Sequence, residues 1–187
     1  MQNENLLIDR IFPTQGIAKY FKIIILVFFG TLLLAVSAKV QVPFWPVPMT
    51  MQTFIVFLIG TTYGWRLSLV TLLAYLIEGA IGIPVFAKGG GFAYLIGPTA
   101  GYLYGMFFAA IIIGMFAERG YANSYYKCIF ALIIGSVVIF ALGVGYLGTI
   151  IGYDNAVAAG LTPFIPSELF KIALAVILIP TLNKILK

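Results

Sequence analysis

The sequence predicts an all-α integral membrane protein, and three observations carry that prediction. Hydrophobic residues make up 62% of the 187-residue chain and charged residues 9%, whereas a soluble domain is about half apolar and a quarter charged. The mean hydropathy is +1.08. A soluble body of this size could not hide so much apolar surface, so the solvent must be lipid. The apolar residues also fall in long runs, parted by short charged or Gly/Pro-rich segments.

Each crossing helix needs roughly 20 largely apolar residues. The runs give six candidates: Tyr20–Ala38, Met49–Gly64, Leu67–Ile83, Pro98–Ala117, Cys128–Ile151 and Ser167–Ile185. The second and third are short, with only Trp65 and Arg66 between them. They read as two spans or as one broken hairpin, whose irregular backbone is tolerated only where protein buries it or it lines a cavity. Charge placement supports six spans. One side receives Arg10, Lys19, Lys22, Arg66, Arg119, Lys127, Lys184 and Lys187; the other receives Lys39 and Lys88, with Lys171 near a helix end. That bias predicts both termini in the cytoplasm. Residues 20–187 then form one transmembrane domain. Residues 1–19 form a cytoplasmic segment, either interfacial through Leu6, Leu7, Ile8, Ile11 and Phe12 or a disordered tail. Ala35-Val36-Ser37-Ala38 is like a signal-peptide cleavage site, but the long lead-in carrying Glu4 and Asp9 favours a retained helix.

Several chemistries are excluded. The chain has no histidine, which removes imidazole acid–base catalysis and His-ligated metal sites. Cys128 is the one cysteine, so no intrachain disulfide or CxxC motif exists. An intramembrane serine protease would need GxSxG with a histidine, and a metalloprotease HExxH. Carboxylate chemistry using Glu78 and Glu168 is what remains for an enzyme. A purely structural subunit would leave the loop aromatics and the charges of the last helix without a purpose.

The outward-facing segments are unusual. The first, Lys39 to Thr50, is stiffened by Pro43, Pro46 and Pro48 and carries Phe44 and Trp45. These rings read either as interfacial anchors or as a lid over a ligand. The second, Gly82 to Thr99, contains Gly89, Gly90 and Gly91 flanked by Phe86, Phe92 and Tyr94. It matches neither Walker A nor GxGxxG, so phosphate binding has no support. It is a re-entrant turn, or a close backbone approach to a ligand with aromatic surfaces beside it. The third ends in PFIPSELFK, where Ser167 is placed to cap the last helix. Glu168 falls in the first turn, where the helix dipole favours it. Lys171 lies three residues on, on the same face. Ionisable groups at membrane depth point to function, although a mutual ion pair or a snorkelling lysine is the plain alternative. Glu78 either joins this cluster or reaches the interface. Gly97/Gly101/Gly105, Gly60/Gly64 and Gly148/Gly152 have GxxxG spacing, which packs helices closely within one chain or between chains.

The run VPFWPVPMTMQT (Val42 to Thr53), the run GAIGIPVFAKGGGFAYLIGPTAGYLYG (Gly79 to Gly105) and PFIPSELFK (Pro163 to Lys171) together resemble the BioY family. That family comprises the biotin-binding S components of energy-coupling factor (ECF) transporters. The resemblance extends from about Tyr20 to the C-terminus. It implies a six-helix S-component bundle in the bacterial cell (inner) membrane, with biotin held near the outer face under the first two outer loops. It implies partners on other chains, a transmembrane T component and two ATPase subunits that use the ATP, and neither an enzyme, a resident cofactor, a metal nor a nucleic acid. Small residues of the first helix, here Thr31, Ala35 and Ala38, would contact the T component. The family's last-helix pair is usually aspartate and lysine, and Glu168 stands here in place of the aspartate. The implied biotin-binding set is Lys171, Glu168, Glu78, Trp45, Thr50, Gln52, Phe86, Gly90, Gly91, Phe92, Tyr94, Thr99 and Tyr102. Whether Lys171 meets the ureido carbonyl or the valerate is left open. The alternatives are an autonomous biotin carrier and an S component for another small vitamin.

Overall fold

A computed structural model describes residues 6–8 and 17–185. The chain runs through α1 (Ile17–Lys39), the two-residue strands β1 (Gln41–Val42) and β2 (Met49–Thr50), α2 (Gln52–Ala80), α3 (Ala100–Glu118), α4 (Tyr125–Ile151), α5 (Tyr153–Gly160) and α6 (Ile165–Ile185). By length and composition, five stretches among the described residues could cross a membrane: Ala18–Lys39, Gln52–Ala80, Ala100–Glu118, Tyr125–Ile151 and Tyr153–Ile185. The protein is therefore helical and multi-pass. Its outward apolar surface includes Tyr20, Phe21, Ile24, Phe28 and Phe29 of α1, as expected of a surface that faces lipid rather than water.

The expected second and third spans fuse into α2, but α2 is not a straight rod. Gly64 interrupts it with φ 75° and ψ 174°, a conformation available in practice to glycine alone. Gln52 Nε2 lies 2.7 Å from the Tyr75 hydroxyl, whereas 23 residues of unbroken helix would separate them by about 35 Å. The Ser68 hydroxyl likewise donates to the Ile59 carbonyl at 3.2 Å. The two halves of α2 thus fold back on each other at Gly64.

Close helix approach depends on glycine at the α3–α4 contact. A Cβ on Gly101 would lie 2.5 Å from the Leu142 carbonyl oxygen, and one on Gly105 would lie 2.7 Å from the Ile139 Cα. Gly60 similarly admits Ile113 of α3. These faces are used inside the chain. Gly97 and Gly152 do not share in them, because a Cβ there would meet only Gly97's own 3₁₀ turn or open space.

One local expectation is corrected, and two features were not foreseen. The last helix begins at Ile165, so Ser167 lies inside its first turn and is not the cap. A 3₁₀ turn, Thr162–Phe164, leads straight into it, and Pro166 is accommodated because first-turn amides have no helical partner. α5 was not foreseen; Gly152 (φ 85°) parts it from α4. At the N-terminus, Leu6 and Leu7 are buried and Leu6 packs against Gly64. Ile11 and Phe12 lie outside the described residues.

Candidate functional site

The site is built where α2, α4 and α6 meet, beside the α1–α2 and α2–α3 loops. Glu168 and Lys171 stand one turn apart on α6, and Lys171 Nζ is 3.1 Å from Glu168 Oε2. Both side chains are almost fully buried, at 6% and 4% exposure or less, so the charges must be satisfied by protein. Thr53, at the start of α2, does so from across the bundle. Its hydroxyl donates to Glu168 Oε2 at 2.9 Å and accepts from Lys171 Nζ at 2.9 Å. Ser136 of α4 donates to the other carboxylate oxygen at 3.1 Å. Three helices are thereby fastened to one ion pair. An ammonium carries three N–H donors and an ionised carboxylate about four acceptor sites. Among the described residues, one donor of Lys171 and one acceptor site of Glu168 remain.

Both residues line a cavity. Its polar wall is Thr50, Gln52, Thr53, Thr99, Glu168 and Lys171; its apolar and aromatic wall includes Tyr94, Tyr102, Met106, Ile139, Phe140 and Phe164. Val47 and Pro48 join from the α1–α2 loop and Ala87 from the α2–α3 loop. The space, with the open solvent at its mouth included, is about 510 Å³. Tyr102 is held at the wall by donating to the Gly160 carbonyl at 2.8 Å and by stacking on Phe164, with centroids 6.3 Å apart. It fits because α4 and α5 offer Gly143 and Gly160, where a Cβ would strike the Tyr102 ring or hydroxyl.

The wall is tied to the loops above it. Thr50 donates to Gln52 Oε1 at 3.2 Å, and Gln52 donates to Tyr75. Tyr75 in turn donates to the Val85 carbonyl of the second loop at 2.9 Å. The first loop folds as a short antiparallel hairpin, Gln41 opposite Thr50 and Val42 opposite Met49. Its flanking side chains reach the second loop, Lys39 bonding the Phe86 carbonyl at 2.6 Å and Gln41 the Ala87 carbonyl at 3.2 Å.

Of the residues expected from sequence, Thr50, Gln52, Tyr94, Thr99, Tyr102, Glu168 and Lys171 come together at this cavity. The others do not line it. Phe86 is wholly buried behind Tyr94, the ring centroids 4.9 Å apart. Trp45 and Phe92 are exposed, at 79% and 67%, so neither ring roofs the ligand space; Phe44 instead turns toward Phe164, at 6.4 Å. Gly90 is exposed and Gly91 half-buried, with the Gly91 amide donating to the Gly79 carbonyl at 2.7 Å. Those glycines shape the loop. Glu78 is half-buried outside the cavity. The α1 stripe is also reversed: Thr31 and Ala38 are buried and Ala35 packs against the core, because the bulky residues of α1 take the outer face. Sequence reasoning missed Thr53, Ser136, Phe140 and Phe164. Thr53 and Phe164 lay in segments already singled out, but Ser136 carried no local signal.

Among the described residues, no group of His, Cys, Asp or Glu could hold a metal ion. Fold and site together define a multi-pass helical membrane protein with a cavity of mixed polar and aromatic lining beside a buried ion pair. The chain belongs to the BioY family, whose model matches residues 11–187. It is 35% identical over 157 residues to the biotin transporter BioY of Thermotoga maritima, covering 83% of this chain and 92% of that one. It is 37% identical over 147 residues to the probable biotin transporter BioY of Pyrococcus horikoshii, covering 78% and 86%. The solved structure of the S-component for biotin from an ECF-type ABC transporter superposes with a TM-score of 0.80 at 23% identity. That superposition covers 91% of this chain and 95% of the other, and the two share a fold.

Proposed function

We propose that this protein is the biotin-binding S component of an ATP-driven ECF transporter and takes biotin across the bacterial cell membrane. It is a transport protein, not an enzyme. In this reading it crosses the membrane six times, counting both halves of α2, with both termini in the cytoplasm. A transmembrane T component and two ATPase subunits supply the energy. The observation that carries the ligand assignment is the buried Glu168–Lys171–Thr53 cluster opening onto an aromatic-lined cavity in a BioY chain.

Biotin presents a ureido ring with two N–H donors and one carbonyl, a thioether ring and a valerate carboxylate. The remaining Lys171 N–H suits the ureido carbonyl, and the remaining Glu168 acceptor suits a ureido N–H. The Tyr102, Phe140 and Phe164 rings suit the bicyclic carbon frame. A ligand lacking the ureido group would leave these buried groups unmatched, at about 1–3 kcal/mol each, which is a basis for rejecting near relatives. Gly60, Gly101 and Gly105 are occupied by helix contacts within the chain, so these glycines do not support the autonomous-oligomer alternative.

Isothermal titration of biotin into the purified protein in detergent tests the ligand. Tight one-to-one binding, weakened tenfold or more by Lys171→Ala, is expected. A folded wild-type sample that ignores biotin would overturn the proposal. Accessibility labelling of tags at each end, in intact cells against broken cells, tests the topology; an exposed terminus in intact cells would refute it.

A further inference from the structure

The geometry points to a site that reads the rings of its ligand and not the carboxylate, so neutral carboxyl derivatives such as biotin amides and alkyl esters belong to its substrate class. This rests on the biotin reading above. Glu168 and Lys171 are the charged residues that line the cavity, and they are bonded to each other at 3.1 Å. A second N–H of Lys171 is committed to Thr53. Bringing the valerate to the last one would place two carboxylates on one buried ammonium, a net negative charge in a desolvated site. A neutral ureido carbonyl meets no such opposition.

The neutral wall offers no second positive charge: its remaining donors, the Tyr94 and Thr99 hydroxyls and the second amide N–H of Gln52, are uncharged and serve an ester or amide carbonyl as well as a carboxylate. Thr50 spends its hydroxyl hydrogen on Gln52 Oε1, and Tyr102 spends its own on the Gly160 carbonyl. The lysines of the outer loops, Lys39 and Lys88, are exposed and do not line the cavity; Lys39 is engaged by the Phe86 carbonyl. The carboxylate therefore stays at the mouth, in water. There an exposed lysine alters affinity by no more than about fivefold and is screened by salt.

The test is titration of the wild type and Lys171→Met with biotin, biotin methyl ester and biotinamide, at an ionic strength of about 0.15 M. The ester and amide should bind the wild type within about fivefold of biotin, and Lys171→Met should weaken all three ligands by the same factor. A loss of tenfold or more for both derivatives on the wild type would overturn the inference. So would a Lys171→Met variant that weakens biotin while sparing the ester, because Lys171 would then hold the carboxylate. If biotin itself fails to bind the wild type, the functional reading falls and this inference falls with it.

Discussion

Replacing Lys171 by Met separates what the ion pair does for stability from what it does for binding. Met keeps the length and the apolar stem but removes the ammonium 3.1 Å from Glu168 Oε2 and the bond to Thr53. Glu168, at 4% exposure, then keeps only Thr53 and Ser136 as hydrogen-bond partners. Breaking a buried pair by removing one member costs about 3–5 kcal/mol. At roughly 2–4 °C per kcal/mol for a chain of this length, thermal unfolding in detergent should shift down by roughly 6–20 °C. Adding Glu168→Gln removes the orphaned charge while leaving an amide that bonds Thr53 and Ser136. The double variant should therefore regain most of the lost stability, yet still fail to bind biotin tightly. Should Lys171→Met unfold within about 2 °C of the wild type, the pair is not desolvated and the reasoning from burial is refuted.

Ser136 touches Glu168 but not the cavity. Losing one hydrogen bond to a carboxylate, about 1.5–3 kcal/mol, should make Ser136→Ala weaken biotin roughly tenfold, and Ser136→Thr should restore it; an equal loss in a Glu168→Gln background would show that Ser136 does not act through Glu168. Gly143→Val puts a side chain into the Tyr102 ring, so overpacking of about 1–3 kcal/mol should lower both thermal stability and affinity; wild-type binding would mean Tyr102 is not a working wall. Gly64→Ala forces alanine to φ 75°, and the unfolding temperature should report a cost of about 1–3 kcal/mol; an unchanged value would argue against the reversal of α2 at that residue. Trp45→Ala should leave biotin affinity within about twofold, as for an ordinary surface change; a tenfold loss would restore Trp45 as a lid.

The legible features were those set by local composition and spacing. The apolar runs marked the long helices, the short Trp65-Arg66 interval marked the break between the two halves of α2, and the three-residue interval from Glu168 to Lys171 placed both charges on one face. Illegible features depended on which helix faces which. Ser136 is 32 residues from Glu168 and Thr53 is 115, and no period in the sequence joins them. The misplaced aromatics have a common cause. Large rings such as Trp45 and Phe92 read as ligand cover from size and loop position alone, and neither fixes which way a loop side chain turns.

The sequence by itself determined the solvent, the helical class and the chemical identity of the buried pair, because lipid demands uncharged helical runs and leaves few charges to choose among. Only the tertiary structure decided which residues complete the site. Thr53 and Ser136 became partners of Glu168 because α2, α4 and α6 converge there. Tyr102 became a wall because Gly143 and Gly160 admit its ring. Thr31 and Ala38 turned inward because small residues let α1 lie close to its neighbours. Such contacts are fixed by three-dimensional packing, in which a residue's neighbours are set by helix rotation and approach distance rather than by its place along the chain.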